Sequence, residues 1–326
     1  MAIDSRDVTQ VGRVYDTARV LDFDLESIPS RQDHETVLLV SPQYFDVRYH
    51  INPYMGGEVD GTAATEQWET LQEAYEEYAS RVLVFDPDEV WASLSTERKT
   101  LPPEGLPDMV FCANHGVATP DGDGVVLAAM SNAERVDEPT YFGAWCQENG
   151  YRTMSLAPGT RFEGGGDAIW HPGRELLWGG YGIRSDKRAY DEIADRLGVR
   201  VVTLELTDEN YYHLDVCFAP LDEETVLIQS EAFTDEGLAT IHALFETVID
   251  APVDESTGGL ACNLHSVDGE RVIMSRGNPK TAALLEAHGY ETTAVCTDEF
   301  QKAGGSVRCL TLSLGDGSRP GYLNGR

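Results

Sequence analysis

Apolar and polar positions alternate in blocks along this 326-residue chain, and the blocks recur. Short apolar runs open at "VVLAAM" (125–130), "ELLWGG" (175–180), "TVLIQS" (225–230) and "RVIMSR" (271–276), which begin 50, 50 and 46 residues apart. Spacing this regular predicts repeated supersecondary units. After three of the runs come a polar turn, a helical stretch, a glycine and a second apolar run: "ENGYRTMSL", "RLGVRVVTLEL" and "AHGYETTAV". Gly150, Gly198 and Gly289 stand where the end of a helix takes the left-handed conformation. The helix ahead of Gly198 sets Tyr190, Ile193, Ala194 and Leu197 in the i, i+3, i+4, i+7 stripe that covers a sheet. The unit opened at 225 departs, since "ETVIDAPVDES" has no such glycine. A fifth, looser copy runs from "TVLLV" (36–40) through an amphipathic helix carrying Trp68, Leu71, Tyr75 and Tyr78 to "RVLVF" (81–85). Residues 93–107 read as an acidic, proline-containing surface loop, and no linker divides the chain.

Each unit also has a strand just ahead of its opening run: "MVFCANHGV", "DAIWHP", "HLDVCFAP", "ACNLHSV" and, at the far end, "CLTLSL". Polar or reactive residues mark their starts, namely Asn114, Asp167, His213, Asn263 and Cys309. If the units surround an axis, these equivalent ends converge, and residues distant in sequence share one site.

Composition narrows the partners. With 56 acidic against 24 basic residues the formal net charge is −32, which repels nucleic acid and anionic lipid. A high-acid, low-lysine surface fits a cytosol near molar salt, where the Debye length falls to about 3 Å, so the source reads as halophilic. No apolar stretch approaches the roughly 18 residues needed to span a bilayer, and "MAIDSRDVTQ" lacks the apolar core of a signal peptide. A cytoplasmic protein with neither nucleic-acid nor membrane partners is expected. Six scattered cysteines without a CxxC pair suit free thiols. Cys112 and His115 have no second ligand pair at metal-site spacing, so neither metal nor cofactor is expected. Cys112, Cys146, Cys217, Cys262 and Cys296 read as structural thiols, and the five tryptophans as core.

The chemistry gathers in three stretches. "GGSVRCLTL" carries Cys309, useful as a nucleophile only as the thiolate; Arg308, one residue earlier on a strand, points to the other face. "FEGGGD" sets Glu163 and Asp167 around three glycines able to bend tightly, without the Gly-Lys-Ser/Thr of a phosphate loop. "YYHLDV" carries His213 and Asp215 at i and i+2, which on a strand share one face. One thiol, one imidazole and several carboxylates imply a cationic substrate.

In this order, "SPQYFDVRYHINPYM", "FCANHG", "FEGGGD", "YHLD" and "GGSVRCLTL" resemble the guanidine-modifying pentein superfamily of arginine deiminases, dimethylarginine dimethylaminohydrolases, amidinotransferases and arginine dihydrolases. The resemblance spans residues 36 to 315. It implies an α+β fold, a five-bladed α/β propeller of ββαβ units, here a single catalytic domain over 1–326. It implies Cys309 as nucleophile, His213 as general acid and base, Glu163 and Asp215 gripping the guanidinium, and Asp167 orienting His213. Arg135 and Arg184 would hold the substrate α-carboxylate. The small-molecule partner would be arginine or a methylated arginine, and the intermediate a thiouronium; the sequence leaves a homo-oligomer open.

Related deiminases and dimethylargininases carry an aspartate where this chain has Asn114, and Asn52 of "INPYM" lies near the entrance. An amide serves both a guanidinium and a neutral urea, because it donates as well as accepts. Arginine dihydrolase chemistry, ending at ornithine, is therefore the first expectation. Deiminase, dimethylargininase and amidinotransferase chemistry stand behind it, and the same fold also serves a non-catalytic ribosome-binding factor.

Overall fold

The computed structural model describes residues 12–315; the N-terminal segment 1–10 and the ends of the expected 1–326 domain lie outside them. Five sheets follow one another, each built on a middle strand that meets an antiparallel neighbour on one side and a parallel neighbour on the other. The middle strands are Thr36–Val40, Gly124–Leu127, Leu176–Tyr181, Thr225–Ile228 and Arg271–Ser275. The last four are the apolar runs that recur along the sequence. Parallel neighbours require a crossover, supplied by the helices Gly61–Tyr78, Glu138–Glu148, Lys187–Leu197, Asp235–Leu244 and Pro279–Ala287. Arg13–Tyr15 adds a parallel strand outside Arg200–Glu205.

The helix expectations are met in detail. Lys187–Leu197 buries Ala189, Tyr190, Ile193 and Ala194, and Gly198 closes it at φ 68°. Gly150 and Gly289 also have positive φ, whereas the helix Asp235–Leu244 ends on Phe245 at φ −121°. Gly61–Tyr78 starts on Asp60, whose carboxylate accepts from the Thr62 and Ala63 N–H groups, and buries Trp68, Leu71 and Tyr75.

The chain ends close on its beginning. Thr311–Leu314 pairs antiparallel with Thr36–Val40, so the first sheet draws on both ends of the described chain. The apolar clusters repeat the cycle: Leu38 and Leu312 meet Val125 and Phe142, Val126 meets Leu177 and Val201, and Trp178 meets Phe218 and Val226. Leu227 meets Val272 and Met274, and Ile273 and Val295 return to Val37 and Leu39.

Three local expectations are corrected. The antiparallel strands are shorter than the pattern suggested and begin at Gly116, Ala168, Phe218, His265 and Thr311. Their polar markers sit in tight turns before them, because the small and polar residues there favour turns over a ladder. His213 accordingly precedes a 3-10 turn at Leu214–Val216 and Asp215 lies within it, so the two share no strand face. The stretch 93–107 is only half a surface loop: Leu94 and Leu106 are buried against Phe85 and Tyr141. Trp91 and Trp170 are partly buried, while Trp68, Trp145 and Trp178 belong to the core.

Candidate active site

Three of these turns, those of Asn114, His213 and Cys309, meet around one small pocket. Ile51, Asn52, Asp108, Phe111, Asn114, Arg135, Arg184, Tyr212, His213, Ala303, Gly305 and Cys309 line it. Thus the sulfur and the imidazole, 96 positions apart by their numbers (309 − 213), face the same space.

Glycines allow the approach. A Cβ at Gly166 would collide with Asn114 Nδ2 and lie 3.3 Å from the His213 ring, and Gly164 stands at φ 55°, where side chains are disfavoured. The Gly-Gly pair ahead of the cysteine has the same reason. Gly304 is at φ 90°, with its Cβ position 2.8 Å from the Tyr212 hydroxyl, and a Cβ at Gly305 would enter the Phe111 ring.

Cys309 is buried in a turn rather than on a strand. Its Sγ lies 3.2 Å from Asp215 Oδ2 and 3.0 Å from Asn263 Nδ2. Burial pushes the Cys309 thiol well up, and the Asp215 carboxylate adds to the shift. Burial also raises Asp215. The resting pair therefore holds a proton. Arg308 reaches Ser313 Oγ at 3.4 Å and makes no contact with the sulfur.

The carboxylate that meets His213 is Glu163, whose Oε2 lies 2.7 Å from Nε2. Burial alone would raise Glu163; the His213 hydrogen bond and the nearby Arg184 and Arg135 charges outweigh it and hold the carboxyl well below the usual range. Asp167, expected to orient His213 directly, reaches it through the backbone. Its Oδ1 accepts from the Leu214 N–H at 3.1 Å and its Oδ2 from the Ser185 hydroxyl at 2.6 Å. Burial pushes Asp167 up to about 6.

The arginines are engaged. Arg135 donates to both Glu138 oxygens, to the Asp108 carbonyl, and through Nη1 to Asn114 Oδ1 at 2.9 Å. That last bond turns Asn114 Nδ2 inward. Arg184 donates to Glu163 Oε2 at 3.0 Å and to the Ile51 carbonyl at 2.8 Å, with its guanidinium 4.9 Å from the Tyr212 ring centre. Asn52 is tied to the lip of the pocket, donating to the Ala303 carbonyl at 3.0 Å and accepting from the Tyr54 N–H.

Sequence reasoning missed Asp108, Tyr212 and Ser185, and noticed Asn263 only as a strand marker. Asp108 is buried beside Tyr49, its Oδ1 has no hydrogen bond within 3.5 Å among the described residues, and burial pushes its carboxyl up to about 7. Its place in "LPDMVFCANHG", six residues before Asn114, was the available signal.

A sequence profile described as N,N dimethylarginine dimethylhydrolase, eukaryotic, matches residues 62–315. The chain is 35% identical to the bifunctional arginine dihydrolase/ornithine cyclodeaminase ArgZ of Synechocystis sp. over 286 residues, 86% of this chain and 38% of that protein. It thus spans little more than a third of the length of such bifunctional relatives. It is 36% identical to the N(G),N(G)-dimethylarginine dimethylaminohydrolase of Mycobacterium tuberculosis over 88% of both chains. Among solved structures, the substrate-bound N-terminal domain of ArgZ, carrying a cysteine-to-serine change, superposes with a TM-score of 0.76 at 34% identity, covering 86% of this chain and 98% of that one. The same domain with an asparagine-to-serine change, covalently bound to a reaction intermediate, gives 0.76 over 85% and 96%. With its profile match over residues 62–315 and its cysteine and imidazole facing one pocket of a mixed α/β fold, the chain belongs to the N,N-dimethylarginine dimethylhydrolase family.

Proposed function

We propose that the protein is a cysteine-dependent hydrolase of the guanidino group of arginine, and that it carries its substrate through to ornithine. The observation that supports this reading is a set of buried polar atoms around Cys309 with no partner among the described residues: Asp108 Oδ1, Asp215 Oδ1 and Asn114 Nδ2. Each such atom costs about 1–3 kcal/mol if left unpaired, so a site with three of them is arranged for a ligand. Two are carboxylate oxygens, which suit guanidinium N–H groups. The third is an amide donor, which suits the carbonyl oxygen of a neutral ureido group.

A guanidinium entering between Asp108 and Asp215 brings the positive charge that the raised Cys309 thiol lacks, so the thiolate forms once substrate is in place. Sγ attacks the guanidinium carbon, ammonia leaves with a proton from His213, and a water deprotonated by the same imidazole cleaves the S–C bond to give citrulline. Glu163 holds Nε2, leaving Nδ1 to exchange the proton, and Asp167 steadies the backbone beside it. A second cycle on the ureido carbon, with Asn114 Nδ2 on its oxygen, releases a second ammonia and carbon dioxide and leaves ornithine. Two waters are consumed in all. We assign the α-carboxylate to Arg184, which would shift from Glu163 and the Ile51 carbonyl to meet it; Arg135, engaged with Glu138, Asp108 and Asn114, holds the amide in its inward orientation.

The test is a time course with L-arginine and dimethyl-L-arginine followed by mass spectrometry. Ornithine and ammonia in a 1:2 ratio are expected from arginine, with citrulline only transient. Citrulline that accumulates and persists rejects the second hydrolysis. Dimethylamine released faster than ammonia favours the second reading, dimethylargininase, which the 36% identical mycobacterial relative supports.

The cyclic order of sheets and apolar clusters further supports five blades around one axis in a single catalytic domain. The acid-rich composition supports a salt-adapted, cytoplasmic setting; a melting temperature that rises as salt is raised toward molar concentrations is the corresponding expectation.

A further inference from the structure

We propose that Asn263 is a positioning residue that fixes both the aim and the charge state of the Cys309 sulfur. The inference rests on Cys309 being the nucleophile, and goes beyond the residues through which that reading was reached. Asn263 is fully buried in the turn ahead of His265–Ser266. In the repeat it holds the same place as Asn114 and Cys309, two residues before the strands that start at Gly116, His265 and Thr311.

The orientation of its carboxamide is decided by its surroundings. Oδ1 lies 3.1 Å from the Ser306 nitrogen and 3.2 Å from the Cys309 nitrogen. Both are backbone donors, so this atom must be the oxygen. Nδ2 is thereby turned to Cys309 Sγ at 3.0 Å and to the Asp215 carbonyl at 3.2 Å. The Asn263 carbonyl also accepts from the Arg308 N–H at 3.3 Å. One residue thus holds the main chain of the nucleophile's turn at three points and offers the sulfur a neutral donor.

That donor opposes Asp215. A hydrogen bond given to sulfur favours the thiolate, while the carboxylate at 3.2 Å disfavours it. The other titratable or charged groups sharing the pocket with the sulfur are His213, Tyr212, Asp108, Arg135 and Arg184, with Arg308 on the nucleophile's own turn. None of them has a hydrogen bond to Sγ among the described residues; beyond burial, Asp215 raises the thiol, and the Ser306 backbone N–H and the Asn263 amide lower it, so Asn263 is the side chain that opposes Asp215.

The substitution N263D separates the two roles. One carboxylate oxygen keeps both backbone N–H groups, and the other puts an acceptor where the sulfur had a donor. The readout is the rate at which iodoacetamide alkylates Cys309 across pH, without substrate, measured on the Cys309 peptide by mass spectrometry so that the other five thiols do not interfere. The alkylation midpoint is expected to rise by about one pH unit or more. kcat/KM at neutral pH should fall by about tenfold or more, while arginine affinity, measured in a C309S background, stays within about threefold. Should N263D fail to fold, N263S takes the same measurement, with an upward shift again expected. An alkylation profile superimposable on the parent's in either folded variant overturns the inference. Because alkylation needs no guanidino substrate, that result is distinct from a failure to hydrolyse arginine, which would count against the proposed function instead.

Discussion

Two cavities border the antiparallel strands, and they differ in size and in the chemistry of their linings. The larger, about 660 Å3, is lined by the strands themselves, including Ala118, Ala168, Phe218, Ser266 and Leu312, with Arg31, Arg271 and Arg308 among its charges. Two of these arginines are matched by neighbouring carboxylates, Arg31 by Asp33 and Arg271 by Asp268. The smaller, lined by the turns before the strands, has only about 10 Å3 of free room, enough for one water. Yet it holds the thiol, the imidazole and the unsatisfied atoms of Asp108 and Asn114. The larger cavity has one such atom in its lining, His34 Nε2, without a thiol beside it; the coincidence of unpaired atoms with the thiol and the imidazole, rather than volume, is what supports the smaller pocket as the site.

The sharpest way to break the contrast is to remove the sulfur. C309A should lower arginine turnover by a factor of about 10^4 or more, measured as ammonia release, while the thermal melt stays cooperative. Full activity in C309A would remove the pocket's claim altogether. The next effect belongs to Gly166. G166A puts a methyl group against Asn114 Nδ2 and the His213 ring, so turnover should fall by about 100-fold. An unchanged rate would mean that these two side chains need not approach each other.

These residues also show how far the sequence could be read. The middle strands, the crossover helices and the glycine that closes the helix before Val199 were legible because burial imposes a period and a helix end imposes a conformation. Asn114, His213 and Cys309 were legible as a set because turn positions recur in the repeat. Their pairings were not. Glu163 rather than Asp167 meets His213, and Asp215 meets the sulfur, because a helical turn at Gly164–Asp167 and a 3-10 turn at Leu214–Val216 replace the expected strand starts and rotate the side chains. Asp108 escaped notice because a lone aspartate in "LPDM" resembles any loop residue until its burial is known.

A smaller effect should appear in stability against pH. Asp108 has a folded pKa raised to about 7 by burial, above the roughly 4 of an unfolded aspartate. The raised value means its stabilisation is fully present below pH 4 and lost as pH rises through 7, at about 1.4 kcal/mol per unit across that window. Glu163, held low, acts the other way, and its contribution is lost only as pH falls below the ordinary glutamate range. D108N, neutral throughout, should therefore melt closer to the parent at pH 5 and higher than the parent at pH 8, while losing arginine affinity. A parental slope of melting temperature against pH in D108N would show that the carboxyl is charged in the free protein.

The smallest effect is expected in the larger cavity, and it tests the other side of the contrast. Arg271 donates through Nε to Asp268 Oδ2 at 2.7 Å and stacks its guanidinium 4.7 Å from the Tyr78 ring centre. Both contacts are local and open to water, where an ion pair contributes little. R271Q should leave kcat/KM for arginine within about twofold of the parent. A tenfold loss would mean that the larger cavity is coupled to the turns around Cys309, through Arg308 or the strand Thr311–Leu314, and that the two regions work as one.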